Sequence, residues 1–187
     1  MNYLVQLVFI VSTGMLLGQR SYDIPSGFSL HMDYDGNLVK VDRDFDRDGT
    51  TDVAILCESE EYGMSMVVIL SRNYDKKGSY YYFPWDAVST EISVTSKNVL
   101  VISSIFGTGR HEIILKLRYS QELDNMRLIG YDASNLGNYD HEGAYSLSIN
   151  LLTGDCIYDG RKEAYSIPVI TLSDIELHLD GLGEIEF

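Results

Sequence analysis

The sequence predicts an all-β protein built mostly of antiparallel hairpins, and three observations predict it. Apolar residues recur at every second position in several separate stretches, turn-forming residues fall between those stretches, and no window carries a long apolar pattern at helical spacing. Ile92 and Val94 alternate with polar residues, as do Ile113, Leu115, Leu117 and Tyr119, then Met126 and Leu128, then Leu147, Ile149 and Leu151. A period of two buries one face of a strand and leaves the other wet. Val53–Leu56 and Met66–Leu70 are continuous apolar runs, the pattern of strands covered on both faces.

The connections follow. Asp35-Gly36-Asn37 reads as a hairpin turn, Lys97-Asn98 separates two strand-like runs, and Thr153-Gly154-Asp155 closes a hairpin between Ser146–Leu152 and Cys156–Tyr158. Asn135–Asn138 reads as a loop and Gly107-Thr108-Gly109-Arg110 as a tight turn. Gly130, inside a strand, implies a bulge or close packing under Tyr131. One short helical turn is expected over Asp174–Leu177, capped by Ser173 with Glu176 at its third position. The total is about nine or ten strands with little helix, in sandwich or partial propeller-like packing.

Composition narrows the function. The 187 residues suit a single β-rich domain over residues 19–187 behind a leader, and Gly181–Phe187 reads as a loose tail. Met1–Gly18 carries no charged side chain and an apolar stretch from Leu4 to Leu17, which is short for a bilayer span and fits a signal peptide cleaved near Gly18. An exported chain, periplasmic or secreted, with no membrane span after cleavage is expected. Asp and Glu number 28 against 14 Lys and Arg, a net charge of -14, which excludes nucleic acid as a natural partner and disfavours anionic membranes. Export places Cys57 and Cys156 where a disulfide can form; the alternative is two small buried hydrophobic residues.

The chemistry concentrates in Asp44-x-Asp46-x-Asp48-Gly49-x-x-Asp52. In a tight loop, acidic side chains at alternate positions can converge on one centre, and Gly49 allows a sharp turn after the third. The carbonyl of Thr50 would then point inward and Asp52 would close the shell. Several hard oxygen donors in a flexible loop describe a Ca²⁺ site. An EF-hand is excluded, because the twelfth position counted from Asp44 is Ile55, where that loop needs a bidentate Glu. The competing reading is a solvated connection rich in Asx-turns, which Arg43 and Arg47 favour by weakening the negative field.

The run from Asp44 to Leu56, with alternating Asp, a Gly, a ninth-position Asp and then an apolar strand, resembles the calcium loop of FG-GAP/VCBS-type repeats, found in integrin α-like β-propellers and many secreted bacterial proteins. The resemblance covers about residues 38–56. It implies side-chain ligation of a structural Ca²⁺ by Asp44, Asp46, Asp48 and Asp52, with Thr50 as a carbonyl ligand. A second copy is missing, so it implies a loop and its flanking strands rather than a whole propeller. Leu117–Tyr119, Leu128–Asp132 and Ser148–Gly154 are similar to a pattern in uncharacterised exported bacterial proteins, which implies a shared β-fold and no activity.

Other motifs are weaker. His31, His111, His141 and His178 show no zinc-ligand spacing, and His141 with Asp140 and Glu142 is the best cluster. No Gly-x-Ser-x-Gly elbow is present. Tyr80–Trp85 is the most aromatic stretch: Tyr81, Phe83 and Trp85 suit a surface for a protein or glycan, or alternate rings of a core strand. The leading expectation is an exported, non-enzymatic, calcium-stabilised β-domain acting as a binding module. A periplasmic inhibitor or immunity-type protein is the alternative, and a hydrolase a weaker one.

Overall fold

The computed structural model describes residues 24, 26–59, 63–69, 79–82, 87–107, 110–137, 141–164 and 169–174, with the backbone alone for 63–69, 79–82 and 173. The expected signal peptide, Phe83, Trp85, Asp140, His178 and the expected C-terminal tail lie outside the described residues.

The expected all-β class is what the chain adopts, as two antiparallel sheets. The first contains β1 (Ser29–Leu30), β2 (Lys40–Arg43), β3 (Asp52–Ser59), β4 (Gly63–Ile69) and β5 (Ser79–Tyr82). Its order is β1-β3-β4-β5, with β2 also on β3. β1 meets the end of β3 at Ser29↔Glu58, and β2 meets its start, from Lys40↔Ile55 to Arg43↔Asp52. Between them the chain makes a side excursion at 32–38, closed by the Met32↔Leu38 bridge. Asp33 holds that excursion: its Oδ1 accepts the amides of Asp35 at 3.0 Å and Asn37 at 2.7 Å. These bonds to the ionised form hold the Asp33 carboxyl below its ordinary value.

The second sheet is a seven-stranded meander in chain order: β6 (Ala87–Val94), β7 (Leu100–Phe106), β8 (His111–Ser120), β9 (Asn125–Asn135), β10 (Tyr145–Asn150), β11 (Asp155–Tyr158) and β12 (Arg161–Ala164). The alternating residues face inward as the period requires: Ile113, Leu115 and Leu117 on β8, Met126 and Leu128 on β9, and Leu147 and Ile149 on β10 are all buried. On β9 the inward set then shifts by one, to Tyr131 and Ala133. The cause is a bulge: Lys116 pairs with Gly130 while Leu117 pairs with Leu128, leaving Ile129 as the extra residue. A Cβ on Gly130 would stand 3.0 Å from Lys116 Cδ on the neighbouring strand, so the glycine leaves room for that side chain.

The main core lies between the sheets. Phe45, Ala54 and Leu56 from the first sheet and its loop join the inward residues of the second, with Cys156, Ile170 and Leu172. A separate cluster covers the other face of β3, where Val53, Ile55 and Cys57 pack with Ile24, Phe28, Leu30 and Leu38. This is the two-sided burial expected of a continuous apolar run. Ile55 and Leu56 are fully buried on opposite faces, each contributing about 1.5–3 kcal/mol.

The strand count is corrected upward from nine or ten. Twelve strands are described; the surplus comes from short segments such as β12, whose four residues are all exposed and carry no apolar alternation. The described C-terminal residues form a 3-10 turn over Leu172–Asp174, and residues 175–177 of the expected helical turn lie outside the described residues. Thr171 precedes it in the capping position, with its Oγ1 donating to Asp174 Oδ2 at 2.5 Å. Cys57 and Cys156 are both free and buried, as the second of the two readings of these residues had it. They sit in different clusters on opposite faces of β3, so the sheet itself separates the thiols. Burial pushes the Cys57 thiol up to about 11.

Two outcomes follow. Leu56→Ala is expected to cost about 2–5 kcal/mol by urea unfolding, because it opens a void at the centre of the main core. A reducing agent should leave the melting temperature unchanged, and iodoacetamide should label both thiols only after denaturation; rapid labelling of the native chain would contradict the burial of Cys57.

Candidate metal centre

The acidic loop leaves β2 at Arg43 and returns at Asp52, the first residue of β3. Arg43 and Asp52 are register partners, so the eight intervening residues form a hairpin loop on a continuous ladder. Its path needs left-handed backbone at two places, Arg47 (φ 63°) and Gly49 (φ 89°). Gly49 takes this conformation without strain, as its position in the motif implied.

Asp44, Asp46 and Asp48 each offer one carboxylate oxygen, and these oxygens lie within 4.8 Å of one another. At that spacing each pair of charges repels by about 1 kcal/mol in bulk water and by about 3–4 kcal/mol at an effective dielectric of ~20. Backbone amides offset part of this. Asp44 accepts the amides of Asp48 and Gly49 at 3.1 Å each, Asp46 Oδ1 also accepts that of Asp48, and Asp48 Oδ1 accepts that of Thr50 at 2.7 Å. The Asx-turns of the competing reading are therefore present, and the same turns aim the carboxylates at a common centre. Asp46 keeps its Oδ2 atom buried in the loop. Three carboxylates supply hard oxygen donors, which suit a hard cation such as Ca²⁺ or Mg²⁺.

Asp52 has another place. It has no solvent exposure and stands outside the converging group. Its Oδ2 accepts the amide of Phe45 at 2.7 Å and that of Asp46 at 3.4 Å. The expectation that Asp52 closes a ligand shell is corrected to that extent: it binds the loop's own backbone from below. Thr50 lies exposed in the loop, with its amide committed to Asp48.

Sequence reasoning missed Asn98. The Lys97-Asn98 turn between β6 and β7 belongs to the other sheet, yet Asn98 is buried against the acidic loop. Its Nδ2 donates to the carbonyls of Asp44 at 2.7 Å and Phe45 at 3.3 Å, and its Oδ1 accepts Arg43 Nε at 2.8 Å. The turn needs φ of 63° at this position. Asn tolerates that conformation and supplies both a donor and an acceptor. A signal was present, since Asn in a two-residue turn is ordinary, but its partners lie more than fifty positions away in sequence.

Of the aromatic residues Tyr81, Phe83 and Trp85, only the backbone of Tyr81 is described. Tyr81 pairs through its backbone with Met66 on β4. Among the histidines, His141 occupies a positive-φ turn. His111 has the more structured surroundings: its Nε2 lies 3.1 Å from Tyr145 Oη and its ring 5.5 Å from Phe106. Burial lowers its pKa. Among the described residues no helix is long and apolar enough to cross a membrane.

Comparison with protein-family models, curated proteins and solved structures returns no match. The functional reading therefore rests on the residues of this chain.

Asn98→Gly keeps the left-handed backbone and removes three side-chain hydrogen bonds. It is expected to lower stability by about 1–3 kcal/mol in chemical denaturation. An unchanged unfolding midpoint would mean that Asn98 does not fasten the loop.

Proposed function

We propose that this chain is an exported, non-enzymatic β-domain, stabilised by Ca²⁺ at the acidic loop, that acts as a binding module for another macromolecule. One observation carries the reading: three carboxylates at alternate positions are held within 4.8 Å of one another on a rigid hairpin. Separate side chains free in water would spread apart to relieve repulsion. Here Asp52 and Asn98 hold the loop backbone from two directions, so the charges stay together.

Asp44, Asp46 and Asp48 would hold the ion through side-chain oxygens. The likeness to FG-GAP/VCBS-type loops adds the Thr50 carbonyl as a further donor. When bound, the ion supplies charge neutralisation and a cross-link within the loop. The chain's own residues do the rest: Asp52 anchors the Phe45 and Asp46 amides, and Asn98 ties the loop to the second sheet. The role is structural, and the broad β-surface is what meets a partner.

The test is a melting scan with EDTA and with added Ca²⁺. Binding to the folded state alone stabilises by about 2.7 kcal/mol at a hundredfold excess over Kd, equivalent to roughly 5–10 °C in a chain of this size. Asp46→Asn and Asp48→Asn retain the Asx-turn acceptors but remove charge. They are expected to abolish the Ca²⁺ shift while leaving the chelated protein as stable as wild type, or slightly more so through reduced repulsion. A wild-type midpoint indifferent to Ca²⁺ would sink the proposal.

A further inference from the structure

Asn98 meets the acidic loop just before β7 begins, and at the other end of β7 the inward face of the second sheet closes in a row of rings. Phe106 on β7 pairs with His111 on β8, His111 with Asn135 on β9, and Asn135 with Tyr145 on β10. The alternation puts Phe106, His111 and Tyr145 on the same face as Ile102, Ile113 and Leu147. All three are half-buried, as is Tyr158 on β11. The His111 ring lies 5.5 Å from that of Phe106 and 6.2 Å from that of Tyr145, which stacks on Tyr158 at 6.4 Å. The 3.1 Å contact between His111 Nε2 and Tyr145 Oη passes over β9 and joins β8 to β10.

Among the described residues no carboxylate bonds this ring. Arg110 donates to the Gly137 carbonyl, and Glu112, on the opposite face of β8, accepts Ser103. His141 and Glu142 are exposed in the connection from β9 to β10, and Asp159 accepts the Ser146 amide. Asn135 uses its Oδ1 on the Gly137 amide. Tyr131 and Cys156 lie deeper on the inward face. Burial raises the Tyr145 phenol, with Tyr158 adding to it, and pushes Tyr131 up to about 12, so no phenolate is at hand. A proton on His111 therefore gains no negative partner, and burial lowers its pKa. The imidazolium also has donors only, so it cannot accept the Tyr145 hydroxyl.

We propose that His111 and Tyr145 form an acid-sensitive latch: the neutral imidazole holds β8 to β10 across β9, and protonation releases it. The unfolded chain takes up this proton near the ordinary value of about 6.5, the folded chain only at lower pH. The stabilisation is complete above the ordinary value and is lost as pH falls through the lowered one. The latch shares no residue with the acidic loop, so it stands apart from the calcium reading.

The test uses the full chain in EDTA-containing buffer. An NMR titration of the His111 ring should give a pKa below about 6.5; a value at or above it would overturn the latch. Urea midpoints at about pH 7.5 and about pH 5.5 bracket the titration. The midpoint should fall further between them in wild type than in His111→Gln, whose amide stays neutral, and equal falls would refute the proposal. Amide hydrogen exchange, corrected for its intrinsic pH dependence, locates the release. Protection at His111–Ile113 and Tyr145–Leu147 should drop in acid in wild type and hold in His111→Gln; an even drop along every strand would also overturn it. If His111→Gln does not fold, the ring titration of wild type still decides.

Discussion

A carboxylate with no access to water must find hydrogen-bond donors within the protein, and Asp52 meets that constraint by accepting the amides of Phe45 and Asp46. The contact ties the first residue of β3 to the far side of the acidic loop. It places Phe45 in the main core, where it packs with Ala54 and Leu56. The loop is therefore anchored by a buried polar contact and a buried ring at once, and its outer carboxylates are positioned by what lies beneath them.

Asn98 extends this anchoring across the sandwich. It comes from the second sheet, holds the carbonyls of Asp44 and Phe45, and receives Arg43. The acidic loop is thus fastened to both sheets. An ion at Asp44, Asp46 and Asp48 would act on a junction of the whole fold, so a small local charge change can register as global stability. The same side chain orients Arg43 beside the acidic loop.

The two free thiols show how a sheet can divide a chain chemically. Cys57 points to the outer cluster on β3 and Cys156 to the core between the sheets. Both are buried beside apolar neighbours, and both thiols are raised above their ordinary value by burial. An oxidising compartment would find neither one exposed.

Much of the fold was legible in the sequence because burial on one face of a strand imposes a period of two. Ile113, Leu115 and Leu117 point inward as that period requires, and the apolar run Val53–Leu56 is covered on both sides. The glycine-marked irregularity on β9 was legible too, although its packing partner Lys116 was not. β12 escaped because an exposed edge strand carries no apolar pattern. At the candidate site, the spacing of Asp44, Asp46 and Asp48 was enough to foresee their convergence, since local turn geometry decides it. The separate places of Asp52 and Asn98 and the separation of the two thiols were decided only by the tertiary structure. Each depends on which faces and turns meet across two sheets, and residue spacing along the chain carries no information about contacts between distant segments.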